Sequence, residues 1–286
     1  MMLKEYKDRR KYIEKSEPLL MRQEAENNLA LGLLSVFKKT VPPSEVYTAL
    51  METEGAVASA LLMTPPHNLI LTYNHDVMSE RLIAEMVSQL ISAGVSVPGA
   101  VGERYWTERF AKEWAVQTGG RADIVMEQKI YQLHEVQPAA GSEGSFQKAK
   151  LEHLPLLTEW MADFMTFTNE PPITTLQSAE RMKKFLAEDS VYIWSVDGVP
   201  VSMAKKSRAT KNGITVSLVY TPEKFRGRGY ASSCVAALSS ELLKDYSFCT
   251  LYTDLSNPTS NSIYQKIGYK PIQDSVMISF TDQGAV

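Results

Sequence analysis

The sequence has few of the residues that build metal sites and disulfide frameworks. It contains two cysteines and four histidines among 286 residues. Two cysteines are too few for a disulfide-dense secreted domain. Cys234 and Cys249 lie in apolar stretches, so we expect reduced core residues, with a chance pair as the alternative. His67 and His75 lack partners at the spacing of a zinc motif. The sequence therefore predicts a protein without a metal site.

The sequence also lacks an excess of charge and any long apolar run. Its formal net charge is −3, which is too balanced for a nucleic-acid-binding protein. No apolar run approaches the roughly 20 residues of a membrane span. The charged stretch 1–15 has no apolar core of a signal peptide. With 44% hydrophobic and 22% charged residues, the chain is globular and long enough for two domains. We expect a cytoplasmic protein that binds neither nucleic acid nor membranes.

What the sequence does contain is a basic glycine turn between a strand and a helix. Residues 214–221 alternate as in a partly buried strand, and Pro222 cannot donate to a sheet, so the strand must stop or bulge there. The turn RGRGYA at 226–231 follows, and an apolar stripe over 231–243 predicts a helix. The glycines let main-chain N–H groups turn inward, while the helix N-terminus and two arginines add positive charge. The stretch predicts a cradle for a phosphate or pyrophosphate, with a solvated surface loop as the alternative.

A second strand and a second helix follow the cradle. Residues 248–253 predict a strand, and Asn257-Pro258 is a helix start with Asn as N-cap and Pro in the first helical position. Tyr264 lies seven residues after Asn257, which is two helical turns along the same face. A phenol at this position could point into a cleft beyond the cradle. A core tyrosine with a satisfied hydroxyl is the alternative interpretation.

In combination these motifs resemble the GCN5-related N-acetyltransferase (GNAT) superfamily: R-x-x-G-x-A at 226–231, N-x6-Y at Asn257 and Tyr264, and Gly268-Tyr269. The resemblance covers roughly the last 130 residues and implies acetyl-coenzyme A as cosubstrate, with Tyr264 as general acid. The pyrophosphate would bind main-chain amides of the turn, pantetheine would run beside the strand, and Asn257 would touch the pantetheine arm. The implied positions are Val219, Tyr220 and Thr221 in the strand, and Arg226, Gly227, Arg228, Gly229, Tyr230 and Ala231 in the turn.

These residue types suit aminolysis of a thioester. Tyrosine has a pKa of about 10 and a coenzyme A thiol about 8.5, so proton donation from Tyr264 to the thiolate is uphill by about 1.5 pKa units. A strand that splays at Pro222 leaves N–H groups free for the thioester carbonyl. The resembled family closes its front region over the acceptor, which makes Glu170 a candidate to hold or deprotonate the amine. A solvated loop carboxylate is the alternative, and Glu223, Asp254 and water are further candidates for the base.

The N-terminal half repeats this order of strands and helices. It begins with a predicted helix over 17–39, broken near its start by Pro18. Asn74-His75-Asp76 takes the place of the basic turn and offers an acid instead of arginines, so we expect no coenzyme site there. An unrelated α/β domain is the alternative. The predicted fold class is α/β (α+β): two tandem GNAT-like domains at 1–137 and 149–286, joined by a linker at 138–148. Each would be a mixed, mostly antiparallel central sheet flanked by helices.

The function predicted from the resemblance is N-acetyl transfer. A primary amine would attack acetyl-coenzyme A directly in a ternary complex. Small amines, aminoglycoside-like antibiotics, amino acids and protein lysines all fit as acceptors. A non-catalytic acyl-coenzyme A-binding regulatory protein is the alternative. A nucleotide-binding α/β protein is disfavoured because no G-K-[ST] follows the turn.

Overall fold

The structure is a computed structural model, and it describes residues 1–40, 45–138, 141–168 and 173–281. From the N-terminus the elements are β1 (Met2–Glu5), α1 (Arg9–Leu20), α2 (Asn28–Lys39), β2 (Tyr47–Thr53), β3 (Ala56–Met63), β4 (Leu69–Tyr73), α3 (Glu80–Ser92), β5 (Gly99–Glu103), α4 (Arg104–Thr118) and β6 (Arg121–Leu133). They continue with β7 (Ser145–Lys148), α5 (Leu154–Met165), α6 (Thr175–Ala187), β8 (Val191–Val196), β9 (Val199–Ser207), β10 (Gly213–Tyr220), α7 (Tyr230–Leu242), β11 (Phe248–Asp254), α8 (Pro258–Ile267) and β12 (Lys270–Thr281).

The chain forms two compact units. The first consists of Met1–Ile130, Asp254–Ser256 and the described residues of Ile272–Val286, and the second of the described residues of Tyr131–Thr253 together with Asn257–Pro271. The last strand therefore belongs largely to the first unit, although most of its sequence neighbours lie in the second. It pairs antiparallel with β5, for example at Val276↔Gly102.

The first unit has one sheet between two pairs of helices. Its strand order is β1-β2-β3-β4-β5-β12, antiparallel except for the parallel pair β4 and β5. Alternation along β2 separates the two cores: Leu50 packs with the cluster under α1 and α2, whereas Ala49 and Met51 pack with the cluster under α3 and α4. The helix α3 connects the two parallel strands, which is the crossover such a pair requires.

The second unit repeats this plan. Its strand order is β11-β10-β9-β8-β7, antiparallel except for the parallel pair β10 and β11, which α7 connects. One face of the sheet packs under α7 and α8 and carries Ile214 and Val216. The other face packs under α5 and α6 and carries Ile193 and Met203. The predicted fold class, two copies of a mixed and mostly antiparallel sheet flanked by helices, is confirmed.

The start of the chain differs from the prediction. The helix expected over 17–39 is two helices, α1 and α2. The first of them begins earlier than predicted, at Arg9, where the Asp8 carboxylate accepts from the main-chain N–H groups of Arg10 and Lys11. Pro18 does not break the helix. It lies in the last turn of α1, and the break follows it, between Leu20 and Asn28.

Two further findings concern the described ranges. None of their helices has the length and apolar content needed to cross a bilayer. Cys234 and Cys249 are unbridged and buried, as predicted for core residues.

Candidate functional site

The parallel strands β10 and β11 separate halfway along their length. They are paired from Gly213↔Phe248 to Thr215↔Thr250. Beyond Thr215 and Thr250 both strands continue for at least four residues, and no pairing between them is present in the described residues. The carboxyl ends of the two strands therefore flank a cleft.

A bulge in β10 lies beside this cleft. Ser217 pairs with Lys205 and Tyr220 with Met203, so three steps on β10 face two on β9. The extra residue lies at Leu218, whose φ of +49° is in the left-handed region that leucine rarely adopts. The Leu218 side chain packs against the core under α5 and α6, which holds this strained backbone in place. The strand ends at Tyr220, before Pro222 as predicted, whereas its bulge lies four residues earlier than Pro222.

The bulge changes which main-chain groups can bind a ligand. The extra residue interrupts the ladder between β9 and β10, so the main chain at Val219 is turned away from its regular partner. Because β11 has already separated from β10 here, the strand presents main-chain polar groups to the cleft. Tyr220, in contrast, directs its hydroxyl to the Asp163 carboxylate on α5, at 3.1 Å.

The basic turn ends in a helix N-terminus that has no side-chain cap. Gly229 is the N-cap of α7, with φ +79°, and no side chain accepts from the first turn. The N–H groups at the start of a helix have no intrahelical partner, and a serine or aspartate normally binds one of them. Gly227 is also left-handed, with φ +75°. A helix start without a capping side chain is available to an anion from outside the chain.

The two arginines of the turn have different surroundings. The Arg226 main-chain N–H donates to the Glu223 carbonyl at 3.0 Å, so it is used within the turn. Its side-chain Nε donates to the Thr221 carbonyl at 3.0 Å, and its guanidinium lies 5.5 Å from the centre of the Phe167 ring. Arg226 thus joins the turn to the end of β10. Arg228 is exposed.

A serine before β7 braces the turn, and the sequence contained no signal for it. Ser142 donates its hydroxyl to the Arg228 carbonyl at 2.7 Å, and its main-chain N–H donates to the Ser233 hydroxyl at 2.9 Å. A Cβ placed on Gly229 would lie 2.6 Å from the Ser142 Oγ. This close approach explains why glycine is needed at the helix start. The linker predicted at 138–148 thus includes a residue that supports the cradle.

The α8 helix begins as its sequence predicts and places the candidate acid in a core. Asn257 is the N-cap and accepts from the Ser260 N–H at 3.0 Å, and Pro258 is the first helical residue. Tyr264 is 8% exposed and meets Tyr269 edge-on, with 6.1 Å between the ring centres. Burial raises the pKa of Tyr264 to about 12, against a lowering hydrogen bond with Ser260.

The raised pKa alters the energy of the predicted proton transfer. A donor with a pKa of about 12 gives its proton to a thiolate of about 8.5 at a cost of about 3.5 pKa units, or about 5 kcal/mol, rather than the 1.5 units expected from an ordinary tyrosine. Turnover at about 10 per second corresponds to a barrier of about 16 kcal/mol, so a proton transfer that is uphill by about 5 kcal/mol is compatible with that rate. The neutral phenol remains the only form present at neutral pH, as an acid requires.

Two of the candidate bases lie in the described part of the chain. Glu170 lies outside the described residues. Glu223 is exposed in the 3₁₀ turn Glu223–Phe225. Asp254 accepts from the Ser256 N–H at 2.7 Å and belongs to the first unit. The structure therefore singles out none of the three as the base.

The corresponding turn in the first unit is occupied by its own side chains. After β4, Asp76 forms an ion pair with Arg22 at 2.9 Å, and Asn74 accepts from the same guanidinium at 3.3 Å. The helix α3 has Ser79 as a capping side chain and Glu80 in its first turn. A capped helix start beside two carboxylates disfavours an anion. The start of α3 thus differs from that of α7, which has no capping side chain.

A partly buried lysine lies on the sheet of the second unit. Lys205 on β9 places Nζ 4.2 Å from the centre of the Phe185 ring and donates to the Lys206 carbonyl at 3.3 Å. Burial lowers the pKa of Lys205 to about 8. Below this pH the folded protein must hold a partly desolvated charge, which opposes folding.

Replacing Lys205 by methionine is expected to stabilise the protein at pH 7 by about 1–3 kcal/mol, discounted for partial exposure. Unfolded lysine has a pKa near 10.5, so the unfolded chain binds this proton more tightly and the natural protein gains stability between pH 8 and 10.5. The advantage of Lys205→Met should therefore shrink across this window. Urea unfolding at pH 7 and pH 10 measures it, with Lys206→Met as the matched control. Equal stability of Lys205→Met and natural protein at pH 7 would contradict the lowered pKa.

Comparisons with known proteins agree with this geometry. The sequence profile of the FR47-like protein family matches residues 197–278, which is less than half of the chain but includes the basic turn at 226–231 and α8. No curated protein matches the chain in sequence.

Solved structures match nearly the whole chain. A GNAT-family acetyltransferase from Colwellia psychrerythraea has a TM-score of 0.58 at 11% identity, covering 99% of this chain and 100% of its own. A GCN5-related N-acetyltransferase from Sphaerobacter thermophilus has a TM-score of 0.60 at 13% identity, with coverages of 93% and 92%. A tandem GNAT protein from the clavulanic acid biosynthesis pathway has a TM-score of 0.58 at 10% identity and covers 100% of both chains. At these identities the likeness shows the fold, and the chain has the tandem GNAT fold.

Proposed function

We propose that this tandem GNAT-fold chain is an N-acetyltransferase whose second unit moves an acetyl group from acetyl-coenzyme A to a primary amine. The observation that carries the proposal is the uncapped start of α7 beside two separated parallel strands. A glycine N-cap with no capping side chain fits a pyrophosphate, and a Cβ at Gly229 would collide with the Ser142 hydroxyl that supports the turn. The main-chain amides from Gly227 to Ala231 would hold the pyrophosphate, with the Arg226 side chain supporting the turn.

The thioester would lie where β10 and β11 separate. Acetyl-coenzyme A supplies an activated acyl group with a thiolate leaving group. Main-chain groups at Val219 orient its carbonyl, and Tyr220 and Thr221 border the pantetheine together with Asn257. The amine forms an N–C bond to the carbonyl carbon, the C–S bond breaks, and Tyr264 gives its proton to the departing sulfur. The ammonium proton leaves to water or to a carboxylate such as Glu170, and bulk solvent reprotonates Tyr264.

The composition supports the remaining parts of the proposal. The net charge of −3 and the unbridged thiols of Cys234 and Cys249 agree with a cytoplasmic protein. Its acceptor would be a small-molecule amine or a protein amine, and its partners would include neither nucleic acid nor a membrane.

One observation favours a second candidate, a non-catalytic acyl-coenzyme A-binding regulatory protein. Burial raises the pKa of Tyr264 to about 12, which makes the phenol a weak acid, and none of the described carboxylates is singled out as a base. Such a protein would bind acyl-coenzyme A at the cradle without catalysing acyl transfer.

A direct assay distinguishes the two candidates. The protein is titrated with coenzyme A by calorimetry and then incubated with acetyl-coenzyme A and a panel of primary amines, while free thiol is followed. We expect coenzyme A to bind and at least one amine to release thiol. Binding without release from any amine would favour the regulatory protein. Absence of coenzyme A binding would overturn both candidates.

A further inference from the structure

The sheet face under α5 and α6 in the second unit has a polar half. Residues paired across strands share a face, as do alternate residues of one strand. The pairs Ser207↔Thr215↔Thr250 therefore face the same side as Met203, which lies in the core under α5 and α6. The hydroxyls of Thr215 and Thr250 are 2.9 Å apart, and those of Ser207 and Ser217 are also 2.9 Å apart. We call these four residues the hydroxyl strip, and it ends where β10 and β11 separate.

An arginine lies over the same end of the sheet. Arg208 follows β9 directly and has a φ of +46°. Its guanidinium carbon lies 5.2 Å from the centre of the Tyr252 ring, and Tyr252 shares the face of Thr250. The Nε atom is buried and has no hydrogen-bond partner in the described part of the chain. Arg208 also forms no ion pair with any residue described there.

A buried Nε without a partner, on a charged side chain, is costly unless a ligand completes it. Buried polar atoms in proteins nearly always have a partner, and a buried charge needs one most. Burial lowers the pKa of Arg208, with Tyr252 acting in the opposite direction, yet an arginine stays charged at neutral pH. Folding has therefore placed a fixed positive charge with an unpaired Nε beside Tyr252, on the part of β11 that has separated from β10.

A second positive charge reinforces the first. Lys205 pairs with Ser217 across β9 and β10 and so shares the face of the hydroxyl strip. Burial is the main cause that lowers the pKa of Lys205, Glu188 raises it, and the charges of Arg208 and Lys184 lower it further. Two cations that repel one another on one face, beside the half-buried hydroxyls of Ser207 and Ser217, form a surface that an anion would stabilise.

We propose that Arg208 binds a carboxylate carried by the acceptor, so that the acceptor is a small amino acid or a related amino carboxylate. This inference rests on the proposed function, because that function places the thioester where β10 and β11 separate. An acceptor with its carboxylate on Arg208, beside the Ser207 and Ser217 hydroxyls, would direct its amine towards that point. The guanidinium fork matches the two carboxylate oxygens, and Lys205 adds charge without contacting the reacting atoms.

The test uses the whole chain and compares acceptors in pairs that differ only in their carboxylate. Each of the standard amino acids, and its primary amide, is titrated by calorimetry into the protein saturated with coenzyme A. The same pairs are then assayed for thiol release with acetyl-coenzyme A, at equal concentrations of free amine. The variants are Arg208→Gln, Arg208→Lys and the control Lys211→Gln, which removes an exposed positive charge from the same loop. We expect the natural protein to prefer the acid of at least one pair over its amide.

The variants separate recognition from folding. Arg208→Gln should weaken binding of the acid, and raise its KM, by about 10- to 100-fold, while the amide and kcat change little, because one charged hydrogen-bonded partner is lost. Arg208→Lys should retain part of the preference, and Lys211→Gln all of it. No preference for any acid, or equal loss for acid and amide in Arg208→Gln, would overturn the proposal. If no amine releases thiol, the acetyltransferase fails, but binding of an acid that depends on Arg208 still supports the anion subsite and its absence refutes it.

Discussion

Replacing Tyr264 by phenylalanine is expected to lower kcat by about 100-fold, at the low end for loss of a positioned acid, while the affinity for coenzyme A changes by less than about threefold. The ring stays in the core beside Tyr269, so the coenzyme site keeps its shape. Only the proton for the departing thiolate is removed, and water must supply it. Because burial raises the pKa of Tyr264 to about 12, the alkaline limb of the natural pH profile should show no titration of this group near pH 10.

A matched variant separates chemistry from packing in this experiment. Tyr269 is also a buried tyrosine, and its hydroxyl lies 2.8 Å from the Ser239 hydroxyl. Tyr269→Phe should lose about 1 kcal/mol of stability and retain kcat. Stopped-flow thiol release measures the chemical step, and calorimetry measures coenzyme A binding. If Tyr264→Phe turns over like the natural protein, Tyr264 has no part in the mechanism, whatever its position in the fold.

Local sequence patterns predicted the parts of the site that short stretches of chain determine. The Asn257 cap and Pro258 start of α8 are found where the motif placed them, because capping depends on a few neighbouring residues. Short stretches determine other turns in the same way: Asp197 and Gly198 both have positive φ, as the tight β8–β9 hairpin requires. The basic turn likewise starts α7 at Tyr230, within one residue of the predicted position.

The remaining parts depend on contacts between distant stretches. The bulge at Leu218 is determined by packing under α5 and α6, whereas the sequence pointed to Pro222. Ser142 braces a turn more than 80 residues away in sequence, and no spacing rule connects the two. The pairing of β12 with β5 joins the end of the chain to its first half. Arg208 could not be distinguished from other loop arginines until its burial was known, because burial is a property of the fold.

The cradle itself provides the second large expected effect. Replacing Gly229 by valine is expected to weaken coenzyme A binding by about tenfold or more, which is about 1.4 kcal/mol. Valine is strongly disfavoured at φ +79°, and its Cβ would meet the Ser142 Oγ that supports the turn. To relieve this contact, either the Ser142 hydroxyl must leave the Arg228 carbonyl or the turn must move. Either change loosens the main-chain N–H groups at the start of α7, which then no longer converge on a pyrophosphate.

Gly198 provides a control, because a side chain there would be strained by the same left-handed backbone but would contact no other residue. Its φ is +78°, and a Cβ there would meet nothing within 4 Å. Gly198→Val and Gly229→Val should therefore both be destabilised, by about 1–2 kcal/mol from the left-handed conformation, and only Gly229→Val should lose coenzyme A affinity. Urea unfolding first checks that the two variants are destabilised to a similar extent. Calorimetry then compares their affinities for coenzyme A. Equal affinities in the two variants would show that the start of α7 does not hold the pyrophosphate, and the proposed coenzyme site would have to be abandoned.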